Sequence, residues 1–151
     1  MPSHTMELPR QIVVGEKNIG DVGNFLSSLT ETKKVSVISG SNVKKIVQKK
    51  IEASLATSKI KSFWYLAKTN DQKTIQHIEK KVRQNKSELV IGIGGGRSVD
   101  IAKMVGFNLN KPFVSIPTSA SHDGIASPFV SVKGDKPHSL VATAPLGVFV
   151  D

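Results

Sequence analysis

Residues 88–103 read Glu-Leu-Val-Ile-Gly-Ile-Gly-Gly-Gly-Arg-Ser-Val-Asp-Ile-Ala-Lys, and this run restricts the fold more than any other stretch of the chain. A short apolar segment, Leu89 to Ile93, meets Gly94, Gly95 and Gly96, and a helical pattern begins near Arg97. Strand, glycine turn and helix in that order predict a β-α unit. Glycines let a ligand approach the backbone with no Cβ in the way, and the first turn of a helix offers N–H groups to an anion. A diphosphate suits such a place, although the same residues also suit a tight connection that binds nothing. The spacing is not the dinucleotide fingerprint G-x-G-x-x-G, because Val99 stands where the third glycine would be. It is not the P-loop either, since no Gly-Lys-Ser or Gly-Lys-Thr follows. Asp100 is either a favourable charge near the positive end of the helix dipole or an acceptor for a ribose or substrate hydroxyl.

The rest of the chain repeats the alternation. Strands are expected at Gln11–Val14, Val35–Ser39, Lys61–Leu66, Leu89–Ile93 and Phe113–Ile116. Between them fall four helical patterns. The first runs from Ile19 to Leu29, with Val22, Phe25, Leu26 and Leu29 on one face. The second, which Ser41 or Asn42 can cap, carries Val43, Ile46, Val47, Ile51 and Leu55 at helical spacing. The third is capped by Asp71 with Ile75, Ile78 and Val82 inward, and the fourth spans Ser98–Leu109. Such alternation predicts an α/β fold: a Rossmann-like, mainly parallel sheet with helices on both faces. After Pro117 the texture changes. Phe129–Val132 and Ser139–Ala142 read as a short β-hairpin around Lys133–Pro137, and Gly147–Asp151 as a last strand. Residues 1–151 form one expected domain, with residues 1–7 a loose leading segment.

An open sheet of this kind binds ligands beyond the carboxyl ends of its strands. The glycine turn after Ile93 lies at one such end. The segment Pro117–Pro128, rich in hydroxyls and holding His122 and Asp123, lies at another. By itself the second segment reads as a solvated loop. Beside the glycine turn, its hydroxyls can hold parts of a nucleotide and its aspartate can orient a polyol.

Composition excludes several classes. The chain has 151 residues and no cysteine, which rules out disulfides, thiolate catalysis and cysteine metal sites. No run is long enough to span a bilayer and no secretory signal is visible, so a cytoplasmic protein is expected. The formal charge is +9, and residues 33–86 carry thirteen Lys and one Arg against Glu52, Asp71 and Glu79. That density raises nucleic acid as a partner. Lysine without arginine gives poor bidentate contacts, and the aromatic residues cluster only at Phe63, Trp64 and Tyr65, which argues for attraction of anionic small molecules instead.

Three stretches together carry a family resemblance: Gly94 to Lys103, Pro117 to Ser127, and Ala144 to Asp151. From about Leu8 onward the chain resembles the N-terminal, cofactor-binding domain of the sn-glycerol-1-phosphate dehydrogenase branch of the iron-alcohol dehydrogenase, glycerol dehydrogenase and dehydroquinate synthase superfamily. The resemblance implies NADP or NAD as cofactor. Gly94, Gly95, Gly96, Arg97, Ser98, Val99 and Asp100 would hold its diphosphate and nicotinamide ribose. Thr118, Ser119, Ala120 and Ser121 would line the adenine and ribose side, and Ser127 would reach toward the nicotinamide. Asp123 would contact substrate, and His122 is left as a structural or supporting residue. The implied reaction interconverts dihydroxyacetone phosphate and sn-glycerol 1-phosphate for ether phospholipids, with a divalent metal, usually zinc, polarising the carbonyl.

The family's metal ligands belong to a helical C-terminal domain. His4, His77, His122 and His138 form no recognisable ligand spacing, so no metal site is expected in this chain. The chain alone is therefore expected to bind NAD(P)H without turnover. It should expose an apolar face that favours association, and the intact enzyme should be a homo-oligomer. The strand Val35–Ile38 ends in Ser39-Gly-Ser-Asn with no acid, and Lys44 and Lys45 follow, so NADPH should be accepted at least as well as NADH. The alternatives are a glycerol dehydrogenase or dehydroquinate synthase-like domain, or a non-catalytic module binding nucleotide or nucleic acid.

Overall fold

In the computed structural model, residues 11–14, 19–118, 129–132, 138–141 and 145–150 are described. Eight strands and four helices follow in the order β1 (Gln11–Val14), α1 (Val22–Leu29), β2 (Lys34–Ser39), α2 (Ser41–Thr57), β3 (Lys61–Leu66), α3 (Gln72–Asn85), β4 (Leu89–Gly94), α4 (Gly96–Leu109), β5 (Phe113–Pro117), β6 (Phe129–Val132), β7 (His138–Val141) and β8 (Gly147–Val150). Six of the strands form one parallel sheet in the order β1-β8-β5-β4-β2-β3. The remaining two, β6 and β7, pair antiparallel as the expected hairpin, from Phe129↔Val141 to Val132↔His138.

The core lies on both faces of the sheet. Val35, Val37, Ile91 and Ile93 point to one face and pack with Phe25 and Leu26 of α1 and with Ile51 and Leu55 of α2. The alternate residues Ile38 and Val90 point to the other, against Ile75, Ile78 and Val82 of α3 and Ile101 and Val105 of α4. This two-residue alternation between buried faces is why the strands read as continuous apolar runs. Phe25 and Phe149 meet with ring centroids 5.3 Å apart, joining α1 to β8. On the other face Asn108 Nδ2 donates to Glu79 Oε1 at 2.6 Å and ties α4 to α3.

Some local expectations are corrected. The first helix starts at Val22, because Ile19–Asp21 form a single 3-10 turn. Neither Ser41 nor Asn42 caps α2; the cap position is Gly40, and no side chain bonds the helix start. Ile46 does not face inward but is 76% exposed, while Val43 and Val47 are only partly buried. At 3.6 residues per turn Ile46 lies about 140° round the helix from Ile51, outside the stripe that meets the sheet. Asp71 does cap α3 as expected: its Oδ1 accepts from the Thr74 N–H at 2.9 Å.

The path of the chain sets up a crevice. From β2 it passes through α2 on one face and moves outward to β3. From β4 it passes through α4 on the opposite face and moves the other way, to β5. The carboxyl ends of the neighbouring strands β2 and β4 are therefore left by connections that diverge. That divergence is the topological switch point at which open α/β sheets bind ligands.

Candidate functional site

The glycine turn stands at the switch point. Gly94 ends β4 with φ of +133°, a conformation that a side chain rarely adopts, so the reversal into α4 requires glycine there. Gly95 takes the cap position of α4 and makes no side-chain bond to the helix start; a Cβ built on it would meet nothing within 4 Å among the described residues. Gly96 opens the helix. The cap of this 14-residue helix thus offers no side-chain acceptor to the first N–H groups. Two residues before Gly94, within β4, Gly92 lets α4 lie close on the strand: a Cβ on it would come within 2.7 Å of the Ala102 Cβ. Close packing at Gly92 and open space at Gly95 are the two halves of one design.

The residues expected at this site fall into distinct environments. Ser98 is buried against the turn, and Val99 lies in the core with its N–H donated to the Gly95 carbonyl at 3.3 Å. Asp100 is partly buried and Arg97 is exposed. Thr118 is exposed at the end of β5, and its N–H donates to the Gly94 carbonyl at 3.0 Å, so the hydroxyl-rich segment leaves the sheet directly beside the glycine turn. Ser119, Ala120, Ser121, His122, Asp123 and Ser127 lie outside the described residues.

A cleft of about 560 Å³ opens on the β2 and β3 side of the turn. Gly40, Ser41 and Asn42 from the end of β2, Leu66 and Lys68 from the end of β3, and Arg97 from α4 line it. The Ala67 N–H donates to the Ser39 carbonyl at 2.9 Å and holds the two strand ends together. Arg97 Nη1 donates to the Lys68 carbonyl at 2.9 Å and so bridges the cleft from α4. Lys44 and Lys45 are not among its lining residues.

Two residues have environments that no motif assigned. Lys68 is one, placed in the cleft only by the pairing of β3 with β2. Lys103 is the other. It is 0% exposed, in the apolar run Ile101–Val105 of α4, and burial holds its ammonium below the usual lysine range while Asp100, one turn earlier, opposes that shift. A lysine inside an uninterrupted apolar run was the available signal for burial. Among the described residues no three His, Cys, Asp or Glu side chains converge so as to hold a metal ion. The described part of the chain therefore does not fit a metal centre.

A parallel sheet wound in both directions, with an open glycine-capped helix at its switch point, defines a doubly wound α/β domain of the nucleotide-binding type. The chain belongs to the iron-containing alcohol dehydrogenase family, whose model matches residues 13–151. It is 64% identical over 151 residues to a glycerol-1-phosphate dehydrogenase, NAD(P)+, of Nitrosopumilus maritimus and 62% identical to one of Cenarchaeum symbiosum. All of the chain is covered in both cases, but only 43% of each relative. The chain thus spans less than half the length of these curated relatives. Among solved structures, the glycerol dehydrogenase of Schizosaccharomyces pombe superposes with a TM-score of 0.87 at 20% identity, covering 100% of this chain and 39% of that one. A 1,3-propanediol oxidoreductase gives 0.88 at 15% identity, over 99% of this chain and 46% of that one. At such identities the superpositions establish the fold. No helix is long and apolar enough to cross a membrane among the described residues.

Proposed function

We propose that residues 1–151 are the NAD(P)-binding domain of a glycerol-1-phosphate dehydrogenase. The observation that carries this reading is the uncapped start of α4 behind Gly94–Gly96, at the switch point of the sheet. The diphosphate of the dinucleotide lies against Gly95, Gly96 and the first N–H groups of α4, where peptide dipoles favour an anion. Ser98 and Asp100 serve the nicotinamide ribose side, and Thr118 to Ser121 the adenine and ribose side. Ser127 lies near the nicotinamide and Asp123 contacts substrate. Bound there, the nicotinamide would exchange a hydride with the carbonyl carbon of dihydroxyacetone phosphate, giving sn-glycerol 1-phosphate. The contribution of this chain is to hold and orient the dinucleotide.

The high identity to archaeal relatives named as glycerol-1-phosphate dehydrogenases supports this substrate pair and, with it, a place in ether phospholipid synthesis. In this reading the metal is zinc and its ligands come from outside residues 1–151. The intact enzyme is a cytoplasmic homo-oligomer. Calorimetric titration of NADH and NADPH into the chain tests the central step. Saturable 1:1 binding is expected, with no reduction of dihydroxyacetone phosphate by the 151-residue chain alone. A folded chain that takes up neither dinucleotide would sink the reading.

A further inference from the structure

The parallel sheet has two edges, and β3 is one of them. Its six residues pair with Lys34–Ser39 of β2 in unbroken register, and among the described residues no strand lies on its other side. The Lys61 N–H donates to the Lys33 carbonyl at 2.8 Å, and the Ala67 N–H, just past the strand, donates to the Ser39 carbonyl at 2.9 Å. The odd-numbered residues thus address β2. Ser62, Trp64 and Leu66 turn their peptide N–H and C=O groups outward, as the alternation along a parallel strand requires. No proline or bulge blunts this edge, and the half-buried Phe63, Trp64 and Tyr65 occupy its middle. An open ladder of this kind accepts an added strand.

The surroundings select the charge of that strand. Residues 61–86 hold six Lys and one Arg against two acids, Asp71 and Glu79. Both acids are engaged: Asp71 accepts from the Thr74 N–H at the start of α3, and Glu79 is buried and accepts from Asn108. A cleft of about 410 Å³ opens between the edge and α3, lined from β3 by Trp64, Tyr65 and Leu66 and from α3 by Lys73, His77 and Ile78. Lys68 also lines it, and no acid does. Lys73, His77 and, one helical step further, Lys80 and Lys81 are exposed, so basic groups continue along α3.

We propose that the outer edge of β3 is a docking site for an extended acidic segment of another protein, which joins the sheet as an additional strand. Ser62, Trp64 and Leu66 supply main-chain hydrogen bonds along about 20 Å of strand. The cleft beside α3 takes acidic side chains from alternate residues of the guest, which gives the site its selectivity. A second copy of this chain fits poorly, because pairing two β3 edges would bring two lysine-rich flanks together, and like charges across strands are destabilising. A nucleic acid would use the charge and leave the outward peptide groups unpaired, and lysine in place of arginine gives it few bidentate contacts. The site is independent of the glycine turn, which ends β4, two strands inward.

The test titrates the 151-residue chain with a capped peptide of alternating Glu and Val, followed by calorimetry and by amide hydrogen exchange. Saturable 1:1 binding is expected, with slowed exchange at the N–H groups of Ser62, Trp64 and Leu66. A peptide with every Glu replaced by Gln should bind about tenfold more weakly or worse. N-methylation throughout the peptide keeps every charge and removes every main-chain donor, and should also cost about tenfold or more in affinity. Lys73→Glu combined with His77→Glu, both at exposed positions, should weaken binding of the acidic peptide by about tenfold while a thermal melt shows the fold retained. Equal affinity for the N-methylated peptide, or binding without protection of those three amides, would mean diffuse charge attraction and overturn the proposal. Self-association of the chain through β3, tighter binding of a single-stranded oligonucleotide at the same edge, or no peptide binding by a folded chain would each overturn it as well.

Discussion

Helices α3 and α4 lie on the same face of the sheet and both begin at its carboxyl edge, yet one start is sealed and the other open. At α3 the Asp71 carboxylate accepts from the Thr74 N–H at 2.9 Å, and Thr69 Oγ1 donates to its second oxygen at 2.7 Å. The first-turn donors and the helix dipole are satisfied from within, and an incoming anion would meet a carboxylate. At α4 the same position is Gly95, which offers no side-chain acceptor. Between these two helices, position within the fold is thus not what separates a closed start from an open one. A single side chain at the cap does so, satisfying first-turn donors at α3 that the cap of α4 leaves to other partners. The helix that is left open is also the one most deeply built into the core, buried from Ile101 through Gly106. Packing along its length offsets what its start gives up.

Closing α4 in the manner of α3 should have the largest effect. Gly95→Asp fits, since a Cβ there meets nothing and the backbone at φ −81° is extended. The variant should keep or raise its melting temperature while losing affinity for both NADH and NADPH by about a hundredfold or more, through repulsion of the diphosphate. Undiminished binding would show that the start of α4 is not where the diphosphate lies. Next in size, Gly92→Ala forces α4 away from β4, with contacts of 2.7 Å to the Ala102 Cβ and 3.0 Å to the Ser98 carbonyl oxygen. A loss of about 1–3 kcal/mol in denaturant unfolding is expected, as for other overpacked sites. Full stability would mean that the close helix-strand approach is readily relaxed.

The buried cation in α4 gives a smaller effect with a distinctive pH signature. Burial lowers the Lys103 pKa in the folded state relative to its ordinary value of 10.5. Between that lowered value and 10.5 the unfolded chain binds more protons than the folded one, so stability rises with pH across this window. Below it both states are charged and the slope vanishes. Lys103→Met should remove the rise and leave stability at pH 7 within about 2 kcal/mol of the parent, as replacements of buried charges by apolar isosteres do. A rise that persists would have to be assigned to another group.

The smallest effect belongs to the sealed helix. Asp71→Ala should lower the melting temperature by a few degrees and leave both cofactor affinities alone. The hydrogen bonds from Thr74 and Thr69 depress the Asp71 pKa below 3.8. Its contribution is therefore complete above pH 3.8 and disappears as pH falls through the lowered value. Melts of the parent and the variant should converge in that acid range. A difference independent of pH would point to lost packing in place of the charged cap.

The alternation of elements, the glycine turn and the Asp71 cap were all legible because each is a local pattern of a few adjacent residues. The inward set of α2 was only half legible: Ile51 and Leu55 are fully buried, while Ile46 belongs to the same apolar list but to a different side of the helix. Strand order lay beyond a linear reading. The placement of β4 between β5 and β2, and hence the crevice itself, comes from how the crossovers pass over the sheet. Lys68 could not be grouped with Arg97 for the same reason, since their proximity depends on β3 lying beside β2. Ser119 to Ser121, Asp123 and Ser127 rest on resemblance and stand as proposals.

One pairing has consequences for how the molecule is made. Gln11 to Val14 lie in parallel register with Gly147 to Val150, so the first strand of the sheet is docked on the last. Between those partners lies almost the whole chain, which makes this a contact of very high sequence separation and a late, slow step in folding. During synthesis the leading strand leaves the ribosome long before its template exists. Until β8 arrives, the hydrogen-bonding edge of β5 and the lone first strand are both open to pairing with other chains, a state prone to aggregation. The vulnerable period of a nascent chain of this design ends only with the residues that close the sheet.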